Sequence, residues 1–157
     1  MALSIFSLPA LADSSDTYSP NYLVTIEDAN GNIVYQQALA RSTYVDGTEY
    51  TIPAGGSITT YQYEPSVSFS TGFLISQSTS GRSVTVAIYN SASIGGTRSL
   101  VKSSTVNTSM VSPTTGPDSD HYMVSTTSIS SSKPYYNGKI TNNSSSSMTL
   151  ALCVSMD

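Results

Sequence analysis

The chain is 157 residues long, the length of one domain and enough to bury a full core. Charged residues make up only 10% of it, the net charge is −4, and about a third of the residues are Ser or Thr. An apolar fraction of 38% with so little charge excludes a disordered chain, and six Lys and Arg without a cluster exclude both a nucleic-acid-tracking surface and a polybasic membrane anchor.

Residues 1–12 are apolar, running Leu3-Ser4-Ile5-Phe6-Ser7-Leu8-Pro9 into Ala10-Leu11-Ala12. A short apolar run followed by small residues at Ala10 and Ala12 has the form of a signal-peptide remnant, although no Lys or Arg precedes Arg41. The competing expectation is an ordered apolar segment that docks on the domain or on a neighbouring subunit. The run is too short for a transmembrane helix, which needs ~20 apolar residues. Residues 13–20 are polar and form an arm or linker; residues 21–157 form a single β-sandwich domain.

Tyr22 to Leu39 holds two alternating runs around Asn30-Gly31, the signature of a hairpin closed by a type I′ turn. This register pairs Ile26 with Tyr35, Val24 with Gln37 and Tyr22 with Leu39. Arg41 to Glu49 is polar and predicts a connection. Tyr50 to Ile52 and Ser57 to Tyr63 predict strands separated by the turn Pro53-Ala54-Gly55-Gly56. Along the second of these, Ile58, Thr60 and Gln62 share one face, and Tyr61 and Tyr63 the other. Val67 to Ile75 predicts a core strand with Val67, Phe69, Thr71, Phe73 and Ile75 inward, and Gly72 marking a bulge or bend.

Ser83 to Tyr89 is the best candidate for a central strand, with Val84, Val86 and Ile88 on one face. Ser99 to Ser103 and Val106 to Val111 read as weaker strands. Ser112 to Asp120, with Pro113, Gly116 and Pro117, reads as a long loop. His121 to Ile129 follows as a strand, and Tyr135 to Thr141 with Ser147 to Ser155 form a last hairpin. No stretch carries apolar residues at helical spacing. The pattern predicts an all-β, antiparallel sandwich of jelly-roll or Ig-like style with roughly nine or ten strands, with a closed barrel as the alternative.

Chemistry is sparse. The single histidine, His121, follows Asp118 and Asp120, but no Gly-x-Ser-x-Gly elbow exists and serine is everywhere, so the pattern reads as a loop histidine. The ten acidic residues are scattered on polar segments, which argues against a glycosidase pair. One His and one Cys cannot make a transition-metal site. Asp28, Asn30, Gly31 and Asn32 resemble the start of a calcium loop, but the glycine is misplaced and turn chemistry explains them better. No catalytic residue, metal or cofactor is therefore assigned. The lone Cys153 reads as a small hydrophobe, with an intermolecular disulfide as the sharper alternative. Sequons at Asn107, Asn142 and Asn143 are expected by chance in such a composition.

Tyrosine is the most suggestive residue, with 11 copies against 3 Phe and no Trp. Tyr61, Tyr63, Tyr135 and Tyr136 are the candidate ligand-binding residues, because tyrosine gives a large contact area at low entropic cost. The leading expectation is an exported, non-enzymatic structural or adhesive protein, secreted or at the cell surface. It would be a subunit of an extracellular filament, fibre or surface assembly, self-associating through residues 13–20 or through strand edges with few guarding Lys or Pro. The alternative is a carbohydrate-binding module that takes glycans on those tyrosines. A third is a membrane-active sandwich using Ala2 to Leu11.

Overall fold

Short runs of β-branched and aromatic residues, alternating with Ser and Thr, make pleated strands that each carry one apolar face to bury. The computed structural model describes residues 22–39, 44–74, 79–108 and 121–157. Among these it holds strands β1 (Tyr22–Glu27), β2 (Ile33–Leu39), β3 (Tyr44–Ile52), β4 (Ser57–Thr59) and β5 (Phe69–Leu74), and no helix. They are followed by β6 (Ser83–Ser91), β7 (Ser99–Asn107), β8 (His121–Thr126), β9 (Tyr135–Asn142) and β10 (Met148–Met156). A six-stranded sheet runs β2-β1-β4-β9-β6-β7 and a four-stranded sheet runs β3-β10-β5-β8, every pairing antiparallel. The chain is thus an all-β sandwich, and the closed-barrel alternative is set aside.

The core lies between the sheets. Val84, Val86 and Ile88 of β6 and Ile140 of β9 face Phe69 and Phe73 of β5 and Leu150, Leu152 and Val154 of β10, all essentially inaccessible. Tyr63, Phe69 and Tyr136 stack in sequence, with ring centroids 5.8 and 6.1 Å apart. At one point the two sheets come very close. A Cβ built on Gly138 of β9 would lie 2.6 Å from Thr71 Cβ and 2.8 Å from its Cγ2, and closer still to Oγ1. Glycine is needed there because the threonine of the facing sheet occupies the place of its side chain.

The opening hairpin keeps the expected register from Tyr22↔Leu39 to Ile26↔Tyr35, then shifts so that Glu27 pairs with Ile33. The turn is not type I′. Gly31 N–H donates to Asp28 O at 3.1 Å, Gly31 alone has positive φ (81°), and Asn30 does not. This is a type I turn followed by a glycine bulge. The Asp28 carboxylate fixes it, with Oδ1 accepting from Asn30 N–H at 2.8 Å and Asn32 N–H at 2.9 Å, and Oδ2 accepting from Asn32 Nδ2 at 2.9 Å.

Other expectations are corrected by tertiary pairing. Part of the predicted connection at Arg41 to Glu49 is strand, because β10 templates β3 from Ser155↔Tyr44 to Met148↔Ile52. The segments expected around Ser99 and Val106 are one strand, β7, with a bulge opposite Ile88 and Tyr89. Gly72 marks no bulge, since register runs unbroken through it on both sides; its missing side chain makes room for Tyr122 O and for Met123 Sδ, 2.7 Å from a built Cβ. Val67 is 62% exposed, outside the core strand, and Ile75 lies outside the described residues.

The last two strands are not a hairpin: β9 and β10 belong to opposite sheets. Asn142 makes the crossing. Its buried Nδ2 donates to Ile52 O, Pro53 O and Ser146 O at 3.3, 3.0 and 2.9 Å, and its Oδ1 accepts from Ser144 N–H at 3.0 Å. The same contacts leave that sequon's amide occupied and inaccessible. Residues 1–21, including the signal-like segment and the arm, and residues 109–120, including Asp118 and Asp120, lie outside the described residues.

Candidate functional site

Two surface features follow from this layout. The first is strand β2, which among the described residues lies at the sheet edge with β1 as its one hydrogen-bonded neighbour. Its residues 33–37 are all exposed, with Ile33 at 57%, Val34 at 54% and Tyr35 at 42%. Tyr35 reaches β3, where its ring meets Tyr50 edge-on at 6.1 Å. From Ile33 to Leu39 the strand carries neither charge nor proline. The opposite edge strand, β7, differs: Lys102 sits in it and its Nζ donates to Ser125 O of β8 at 3.0 Å.

The second feature is a groove of about 410 Å³ on the outer face of the six-stranded sheet. Its floor is a cross-strand row set by register, Gln36 (β2), Thr25 (β1), Thr59 (β4) and Lys139 (β9). With adjacent strands ~4.8 Å apart, that row is roughly 14 Å long. Glu27, one pleat along from Thr25, places its carboxylate 4.0 Å from Lys139 Nζ, both side chains about one-third exposed. Tyr61 lines one side; Ile94, Gly95 and Arg98, from the connection between β6 and β7, line another.

That wall is held from below by buried Gln62. Its Nε2 donates to Ser91 Oγ at 2.5 Å, and its Oε1 accepts from Gly95 N–H at 2.5 Å. Thr60, also buried, donates its N–H to Gly138 O at 2.9 Å but accepts from Gly138 N–H through Oγ1 at 2.8 Å, so its hydroxyl stands in for its carbonyl beyond β4. Because β4 stops at Thr59, strict alternation fails between Tyr61 and Tyr63.

The four tyrosines picked out by sequence therefore do not form one exposed surface. Tyr61 lines the groove and Tyr135 is half-buried. Tyr63 is a core residue bridged to Tyr136 through reciprocal backbone bonds of 2.7 and 2.6 Å. Tyr136 is wholly buried: its hydroxyl accepts from Ser130 N–H at 2.8 Å and donates to Ser128 O at 3.2 Å. Neither core ring is accessible to a ligand, because both complete the aromatic stack on Phe69. His121 is a strand residue opposite Leu74 in β8, not a loop residue. Cys153 is wholly buried, with Sγ 3.9 Å from Ala151 O, which fits the small-hydrophobe reading and leaves the thiol out of reach of a second chain in this fold. The Asp28 carboxyl is held below its usual range, first by the Asn32 side chain and then by backbone N–H groups of the turn, so its oxygens serve the hairpin.

Sequence reasoning missed the groove's charged residues, Glu27, Arg98 and Lys139. They lie on separate elements and only the strand order brings them together. Comparison with protein-family models, with curated proteins and with solved structures finds no match to this chain. No helix among the described residues is long and apolar enough to cross a membrane.

Proposed function

We propose that this is an exported, non-enzymatic structural or adhesive protein that assembles with copies of itself at the cell surface or in an extracellular filament. The observation that carries the reading is β2. It is a seven-residue edge strand with no charged residue and no proline, and its side chains at Ile33, Val34 and Tyr35 are exposed. Proteins that remain monomeric guard such edges with Lys, Pro or a cover, because an open row of N–H and C=O groups templates a further strand. A strand from a second copy would satisfy those groups and cover the apolar side chains in one step. Residues 13–20, which enter β1 next to β2, are the segment we assign to that exchange.

Sedimentation and electron microscopy of the purified protein over a range of concentrations test this, with Val34→Lys and a chain lacking residues 1–20 alongside. Assembly that grows with concentration and is lost in Val34→Lys is the expected result. Val34 is more than half exposed, so the variant keeps its fold. A wild-type chain that stays strictly monomeric at every concentration overturns the reading.

A further inference from the structure

The outer-face groove has a charge character unlike the rest of the chain. The protein carries ten acidic residues against six Lys and Arg. Among the described cations, three end on neutral partners: Lys102 on Ser125 O, Lys133 on Ser99 Oγ at 2.7 Å, and Arg82 on Ser146 Oγ. The other two, Arg98 and Lys139, both line the groove. Lys139 has only the long 4.0 Å contact to Glu27, and Arg98 makes no ion pair or hydrogen bond. Two cations against one carboxylate leave a local excess of one positive charge in an acidic protein. Attraction of this kind concentrates an anionic ligand at the groove.

The remaining lining restricts the class of anion. Gln36 and the floor threonines offer both donors and acceptors, which suits a ligand dense in hydroxyls. Gln36 Nε2 already donates to Thr25 Oγ1 at 3.2 Å, leaving its carbonyl oxygen to accept from a ligand hydroxyl. Tyr61 and the half-exposed Ile94 supply apolar surface at the side, where the C–H face of a sugar ring can pack. The guanidinium of Arg98 is a planar fork that matches a carboxylate in bidentate fashion. The groove's volume of about 410 Å³ falls within the range of small-molecule sites, ~300–1,000 Å³. The bonds from Gln62 hold the wall in place before any ligand arrives, which lowers the ordering cost of binding.

We infer that this groove binds an acidic sugar, a carboxylate-bearing pyranose free or within a polysaccharide, with its carboxylate on Arg98 and Lys139 and its ring against Tyr61. The site shares Gln36 with β2 but does not rest on the assembly reading. The test is titration of the whole chain by calorimetry and by NMR with glucuronate, galacturonate and N-acetylneuraminate. Glucose and galactose serve as neutral rings, acetate and inorganic phosphate as anions without a sugar ring, and short oligogalacturonates as the polymeric source.

At least one acidic sugar is expected to bind, with shifts confined to the groove. Its affinity should exceed that of the matched neutral sugar by about tenfold or more and fall as salt rises. Arg98→Gln and Lys139→Gln should each weaken it by a similar factor, and Tyr61→Ala should weaken it without changing its salt dependence. Tighter binding of oligogalacturonate than of the monosaccharide would identify the polymer as the source. Binding of acetate or phosphate as tight as that of the sugars, acidic and neutral sugars binding alike, or acidic-sugar binding that survives Arg98→Gln each overturns the assignment. So does silence from all probes. Arg98 is exposed, so its variant stays folded, and a circular dichroism spectrum matching wild type confirms it.

Discussion

The close contact of Gly138 with Thr71 across the two sheets makes a sharp test of the packing. Gly138→Ala adds one methyl group where Thr71 of the facing sheet already stands, with Thr71 Cβ and Cγ2 at 2.6 and 2.8 Å from the new atom. Carbon atoms in contact prefer about 3.5–4.0 Å, so either the sheets separate by roughly an ångström or Thr71 turns against Phe69 and Phe73. Both neighbours are fully buried and cannot yield cheaply. We expect a loss of about 3 kcal/mol, the upper end of the usual overpacking range. For a chain of this size that lowers the melting temperature by about 6–12 °C. Urea unfolding followed by circular dichroism and tyrosine fluorescence measures it, since the chain has no Trp. In a Thr71→Ala background two of the three clashing atoms are gone, and the cost of Gly138→Ala should fall by at least ~1 kcal/mol, a coupling typical of residues in contact. A Gly138→Ala variant within ~0.5 kcal/mol of wild type, or one strictly additive with Thr71→Ala, refutes the close-approach argument.

Three further outcomes follow from buried or turn-bound polar groups. Thr71→Val replaces a fully buried hydroxyl that has no hydrogen-bond partner with a methyl group, and should raise the urea midpoint by the equivalent of about 1 kcal/mol. Tyr50 has a phenol pKa raised first by burial and then by Tyr35, so its stabilising contribution is complete below the unfolded value near 10.0 and is lost as pH rises through the folded one. Tyr50→Phe should therefore flatten the alkaline limb of a melting-temperature profile while leaving neutral stability equal or higher. Asp28 has the opposite sign: its lowered pKa gives stability present above the unfolded value near 3.8 and lost as pH falls through the folded value. Asp28→Asn should make the acid limb of that profile shallower, and a limb as steep as wild type's would show that the turn carboxylate contributes nothing.

What could be read in the sequence was local. The hairpin register came from a period of two around a glycine turn, and the inner face of β6 came from the alternation of Val84, Val86 and Ile88. What could not be read depended on partners distant in the chain. Nothing in Asp46, Gly47 or Glu49 favours a strand, yet pairing with β10 makes one. Asn142 and its neighbours look like hairpin turn residues, but three carbonyl partners turn the chain across the sandwich instead. Tyr61 and Tyr63 looked equivalent because alternation was carried past Thr59, where β4 ends and the Thr60 hydroxyl accepts in place of its carbonyl. The groove left no local trace, since its floor is one residue from each of four strands.

The placement of β10 also bears on how the chain folds during synthesis. It is the inner partner of both β3 and β5, and β9 likewise joins β4 to β6. Without residues 135–156 the remaining described strands fall into three paired groups, β2-β1-β4, β6-β7 and β5-β8, and β3 has no neighbour in its sheet. Four of the eight described strand pairings wait on these residues, and pairing β10 with β3 closes a loop of about a hundred residues before the core rewards it. Joining each sheet into one piece is then slower than the local pairing of β1 with β2 or of β6 with β7. Until β9 and β10 add, the chain carries unpaired inner edges on β4, β6, β3 and β5, the kind of surface on which partly folded chains associate.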